Sequence, residues 1–116
     1  MDTLATVGSI VATANRSTRV GKMLHGWNCR VALIVGPTTV GIVVAEGAAS
    51  MVHPAPADAG ISFRLSEQTL QMLAERRITP LVGKLKGLIQ STGNTVDRLR
   101  FASVLTACLQ EGSKKN

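Results

Sequence analysis

The sequence predicts an α+β domain, and three observations carry that expectation. Five short segments show strand signals, either apolar–polar alternation or runs of β-branched residues. Three others repeat apolar residues every three or four positions, as helices do. The breaks between the first three strands are short enough to favour antiparallel neighbours. At 116 residues the chain is near the commonest size for one domain and too short for two independent cores, so residues 1–116 are read as one unit.

The elements follow in order. Leu4, Val7, Ile10, Val11 and Ala14 fall on one face of a helix over residues 3–14, with Asp2 or Thr3 available as N-cap. Arg16 to Lys22 is a basic connection or a second short helical turn. From Trp27 the period becomes that of a strand, with Trp27, Cys29, Val31, Leu33 and Val35 on one side. Gly36-Pro37-Thr38 turns the chain into TVGIVVAEG, and Glu46-Gly47 separates that strand from AASMVH. Pro54 and Pro56 make HPAPADAG a loop. Ile61, Phe63 and Leu65 then alternate inward, and Ser66 is placed to cap a helix over SEQTLQMLAERR. Thr79-Pro80 is read as the stop of that helix and VGKLKGLIQ as a fifth strand, with Lys84 and Lys86 on its outer face beside Arg64 of the preceding strand. Gly93-Asn94 turns into a helix from about Thr95 to Leu109, whose apolar surface is wider than one stripe against a sheet needs. Residues 110–116 are expected to form a flexible tail.

Composition narrows the function classes. Hydrophobic residues make up 45% of the chain and charged residues 17%, which suits a folded domain. Aromatic residues are only 3%, namely Trp27, Phe63 and Phe101, so any core or cavity is walled by aliphatic side chains. That scarcity counts against single-stranded nucleic-acid binding, which stacks bases on aromatic rings. The net charge of +6 comes from dispersed Lys and Arg with no long basic block, which fits weak contact with an anionic membrane or acidic partner better than base readout. Cys29 and Cys108 are far apart, form no CxxC pair, and are expected as buried, reduced thiols. The N-terminus lacks the pattern of a signal peptide, and no apolar run is long enough to span a bilayer, so the expected location is cytoplasmic.

Over residues 57–109 the motifs become specific. Ala57-Asp58-Ala59 leads into a strand that ends on Ser66, followed by Leu70 and Leu73 in an S-x-x-x-L-x-x-L helix. Gly83-Lys84-Leu85-Lys86 follows, then a turn at Gly93 and a terminal apolar helix. This stretch resembles the C-terminal half of the sterol carrier protein-type lipid-binding domain; residues 1–53 agree only in the order of their elements. The resemblance implies a five-stranded, mostly antiparallel sheet covered by helices and enclosing an apolar tunnel. It also implies a ligand such as a sterol, acyl chain, phospholipid, isoprenoid or polyketide intermediate. Val31, Leu33, Ile42, Val44, Ile61, Phe63, Leu70, Leu73, Leu85, Ile89, Leu99, Val104 and Leu105 are the candidate walls, each of which is equally fit to be plain core.

Reactive side chains are few. His25 precedes the first strand, His53 follows the third, and Asp58 lies in the proline loop, so a His/Asp pair for acid–base work is the enzymatic alternative. The plainer reading of the same residues is a set of solvated side chains flanking strands. No metal-ligand spacing is present, Gly36-Pro37 and Gly83-Lys84 lack the phosphate-loop pattern, and no cofactor is expected. Trp27 is read as a core anchor rather than a ligand gate. The expected function is a carrier or accessory factor holding a hydrophobic small molecule. The alternatives are a small biosynthetic enzyme on the same scaffold and an interaction subunit, with a homodimer or a partner enzyme as the associated assemblies.

Overall fold

The computed structural model describes residues 2–113 and builds five helices and five strands. Helix α1 spans Thr3–Arg16, with the Asp2 carboxylate accepting from the Ala5 amide at 3.1 Å. The basic connection is helix α2, Thr18–Leu24, because Ser17 ends α1 and caps α2 through a bond from the Val20 amide. Strands β1 (Cys29–Val35), β2 (Thr38–Ala45) and β3 (Ala48–Val52) form a meander, and β1 has the predicted phase with Cys29, Val31, Leu33 and Val35 buried. Strand β4 is Ile61–Leu65, and Ser66 caps α3, Glu67–Ala74, by accepting from the Thr69 amide at 3.0 Å.

The sheet order is β3-β2-β1-β4-β5. Three of its neighbouring pairs are antiparallel, and the central pair β1–β4 is parallel. Parallel neighbours need a crossover connection. Here the proline loop supplies it, running from the edge strand β3 across the outer face to β4. Gly41 in β2 gives it room: a Cβ there would meet Pro56 Cδ and lie 2.7 Å from Val52 Cγ2.

The chain departs from expectation after Thr79. Residues Pro80–Leu85 form a short helix, α4, and strand β5 begins only at Ile89 and ends at Gly93. Thr79 with Pro80 behind it is a helix start, since the threonine hydroxyl accepts from the Val82 amide and proline suits the first turn. Gly87, at φ +75°, closes α4, with its amide and that of Leu88 reaching back to the carbonyls of Lys84 and Gly83. Lys84 therefore sits on a helix, and it does not share a sheet face with Arg64. Helix α5 runs from Thr95, capped by Asn94, to Ser113, four residues beyond the predicted end. Residues 110–113 of the expected tail are thus helical, and 114–116 lie outside the described residues.

The buried faces of α1, α2, α3 and α5 meet one face of the sheet. Val31, Val40, Ile42, Val44 and Ile61 from the strands pack with Val7, Val20, Leu24, Leu73 and Phe101 from the helices. Each such side chain contributes about 1.5–3 kcal/mol on full burial. A polar cross-link ties the far end of α1 to the sheet edge, with the Asn15 amide donating to the Ala49 carbonyl at 2.7 Å and accepting from its N–H at 2.9 Å. Among the described residues, no helix is long and apolar enough to cross a membrane.

Candidate functional site

Between sheet and helices lies an apolar cavity of about 250 Å³. Its floor is the C-terminal half of β1 and the strands beside it, through Leu33, Val35, Ile42, Phe63, Leu65 and Ile89. Val7 and Ile10 of α1 and Leu70 and Leu73 of α3 close two sides, and α4 and α5 the rest. The cavity opens to the surface on one side, where its lining includes exposed residues.

Helix α5 makes the cavity by carrying two apolar stripes. Val104, Ala107 and Cys108 enter the closed core. Leu99, Phe101, Ala102 and Leu105 face the cavity, and Thr95 and Arg98 continue that stripe to its end. The unexpected width seen in the sequence is therefore the sum of a core face and a cavity face.

Of the predicted walls, Leu33, Ile42, Phe63, Leu70, Leu73, Ile89, Leu99 and Leu105 line the cavity. Val31, Val44, Ile61 and Val104 are buried elsewhere in the core. Leu85 is 77% exposed at the end of α4. Its placement follows from the helix that replaced the predicted strand. Sequence reasoning passed over Val7, Ile10, Val35, Leu65, Phe101 and Ala102, although the three- and four-residue spacing of α1 and α5 held the signal. It also missed all the polar lining residues.

Those polar residues, Lys84, Ser91, Thr95 and Arg98, gather at one end. The exposed members of the lining, Leu81, Lys84, Thr95 and Leu99, lie on α4 and the first turns of α5, so the mouth is there. Lys84 Nζ donates to Ser91 Oγ at 2.7 Å. The Arg98 guanidinium donates to the same Oγ at 3.0 Å and to Thr95 Oγ1 at 3.1 Å. Its Nε–H is buried without a partner. Among the described residues, neither cation is paired with a carboxylate.

The candidate acid–base residues stand apart from this cavity. His25 and His53 are exposed, and the strand directions separate them: β1 and β3 flank β2 and run the same way. Through Gly41, the end of β3 at Val52 is level with Ala32 in the middle of β1, so the chain leaves β3 running away from the start of β1 and His25. Asp58 is exposed and pairs with Arg30 at 3.2 Å, rather than with a histidine. Among the described residues, no group of three or more His, Cys, Asp or Glu side chains is placed to hold a metal ion.

Trp27 is buried and outside the cavity lining. Its indole N–H donates to Asp97 Oδ1 at 3.1 Å, and the Arg100 guanidinium lies 4.8 Å from its ring centre. Arg100 also donates to the Met23 carbonyl at 3.0 Å, so this cluster fastens α5 to the end of α2.

Both cysteines are free and buried. Burial, then the Glu111 carboxylate, pushes the Cys108 thiol up to about 11, and burial, then Asp97, raises that of Cys29. Iodoacetamide at about pH 8 is expected to leave both unmodified in the folded protein and to label both after unfolding in guanidinium. Rapid labelling of the folded form would contradict this. Because Cys108 ionises later folded than unfolded, its contribution to stability is full below the ordinary value of 9.0 and is lost as pH climbs toward about 11.

A five-stranded mixed sheet with helices packed on one face is the fold of solved sterol carrier protein 2 domains, and this chain has that fold. It is similar to the conserved hypothetical protein TT1886 from Thermus thermophilus, with 23% identity over 98% of this chain and 88% of that one and a TM-score of 0.68. It is similar also to palmitated SCP2L2 from Aedes aegypti, with 11% identity, 90% and 95% coverage and a TM-score of 0.70. The likeness thus extends through the first half of the chain, where motif residues were lacking. A third structure, the stereoselective inverting sec-alkylsulfatase Pisa1 from a Pseudomonas species, shares 12% identity over 73% of this chain at a TM-score of 0.61. This chain spans only 13% of that protein's length. No protein-family model and no curated protein sequence matches the chain.

Proposed function

We propose that the chain acts as one domain that carries a slender amphiphile, with its aliphatic tail in the cavity and an anionic head at Lys84 and Arg98. The observation that supports this most is the division of the cavity lining, apolar except for Lys84, Ser91, Thr95 and Arg98 gathered at the mouth, where the two cations have no carboxylate partner among the described residues. A volume of about 250 Å³ falls just below the usual range of small-molecule pockets, roughly 300–1,000 Å³, which suits a single chain better than a fused-ring sterol. Each methylene moved out of water contributes about 0.8 kcal/mol, so a tail alone gives affinity without polar contacts. The head supplies selectivity, because the Arg98 fork and the Lys84 ammonium are donors to carboxylate or phosphate oxygens. The palmitated form of the Aedes aegypti neighbour agrees in kind with such a ligand.

The test is displacement of cis-parinaric acid by dodecanoate, dodecyl phosphate and dodecanol. With charge-assisted hydrogen bonds at the mouth, at least one of the two anions is expected to bind about tenfold more tightly than the alcohol. That ratio should collapse in Lys84→Met/Arg98→Met. The stronger of the two anions then identifies the head group. Equal affinity for all three in the wild type would overturn the head-group assignment. Failure of all three to displace the probe would overturn the cavity as a ligand site.

A further inference from the structure

We infer that the mouth of the cavity is a docking face for an anionic lipid bilayer, an inference that rests on the carrier reading and names the surface with which it exchanges ligand. Among the described residues, the exposed large apolar side chains other than Met51 are Leu81, Val82, Leu85, Leu88, Val96 and Leu99. All six belong to α4, the turn after it, or the first turns of α5. Single exposed leucines are ordinary, but a contiguous group on one face marks an interaction surface.

The charge of that face decides the occupant. Lys84, Lys86 and Arg98 are interleaved with the apolar residues, and the one acid between Thr79 and Leu105 is Asp97, which accepts from the Trp27 indole. Apolar side chains set among cations with no carboxylate partners match the interface of an anionic membrane, where the leucines enter the acyl boundary and the cations meet lipid phosphates. Each cation near such a surface strengthens binding roughly fivefold. Position argues the same way. Leu81, Lys84, Thr95 and Leu99 border both the bilayer-facing surface and the cavity, so an aliphatic chain entering from a docked membrane would never cross water. A protein partner would need an acidic rim and its own apolar ligand to satisfy the same surface.

The experiment is vesicle flotation of the intact protein at low salt. One vesicle set is pure phosphatidylcholine, and the other is equal parts phosphatidylcholine and phosphatidylglycerol. The expected result is binding at least about tenfold stronger to the anionic vesicles, declining as salt is raised. Leu85→Ser/Val96→Ser alters two exposed residues outside the cavity lining and is expected to lower that binding about tenfold or more. Displacement of cis-parinaric acid in vesicle-free solution should be retained by the same variant. Absence of wild-type binding to anionic vesicles, or equal binding by the variant, would overturn the docking face. Failure of the wild type to bind cis-parinaric acid would instead overturn the carrier reading on which it rests.

Discussion

Ala102→Trp is expected to lower affinity for dodecanol about a hundredfold, a loss of roughly 2.7 kcal/mol, while leaving the protein as stable as before or more so. Ala102 is half-buried on the cavity stripe of α5, and an indole at that position points into unoccupied apolar space. In a filled core such a substitution would overpack and destabilise by about 1–3 kcal/mol. Here the ring replaces a void, so stability and binding move in opposite directions. That opposition separates a blocked site from a damaged fold. Paired measurements of thermal midpoint and dodecanol affinity check it, and tight binding by the variant would show that the ligand sits elsewhere. Leu105→Trp on the same stripe serves as a second probe.

Gly93→Ala is expected to destabilise the fold by about 3–5 kcal/mol, combining left-handed backbone strain with a steric clash. Gly93 ends β5 at φ +106°, and a Cβ there would meet the Gly60 carbonyl oxygen and lie 2.9 Å from Ile61 Cα. Backbone cannot swing aside as a flexible side chain does. The substitution also disturbs the turn that sets α5, and with it Thr95 and Arg98, at the cavity mouth. For a domain of this size the thermal midpoint should drop by roughly 12–20 °C. Gly21→Ala is the control: the residue is helical with open space around it, and alanine there should stabilise by about 0.5–1 kcal/mol. A Gly93 variant within about 1 kcal/mol of wild type in urea unfolding would contradict the packing described.

The sequence carried the local part of this structure and little of the long-range part. Ser66 as N-cap, the inward phase of β1 and the hairpin break at Glu46-Gly47 rest on interactions within a few residues, and they were legible. Thr79-Pro80 reads as a helix stop because proline cannot continue a helix, yet α3 already ends at Ala74, with Arg76 at φ +58°, and the pair begins α4 instead; Leu85, Gly87 and Ile89 then alternate by chance, one on a helix, one in a turn and one in a strand. The placement of β4 beside β1, in parallel, depends on a loop crossing the sheet over Gly41, and no residue spacing encodes that. His25 and His53 illustrate the consequence, since their separation follows from strand direction rather than from distance along the chain. The cavity was half legible. Its apolar character was legible, but the expectation of purely aliphatic walls was not met, since Phe63 and Phe101 both line it; position along β1 decides that Leu33 faces the cavity while Val31 is sealed in the core. Lys84 and Arg98 come from separate helices and converge on Ser91 of β5, so their partnership required the fold.

Native mass spectrometry of the freshly purified protein, incubated with dodecanoate and compared with Ala102→Trp, tests the central claim most directly. A one-to-one adduct is expected in the wild type and is expected to be lost in the variant. A wild type that stays ligand-free, or an adduct that persists when the cavity is filled, would contradict it.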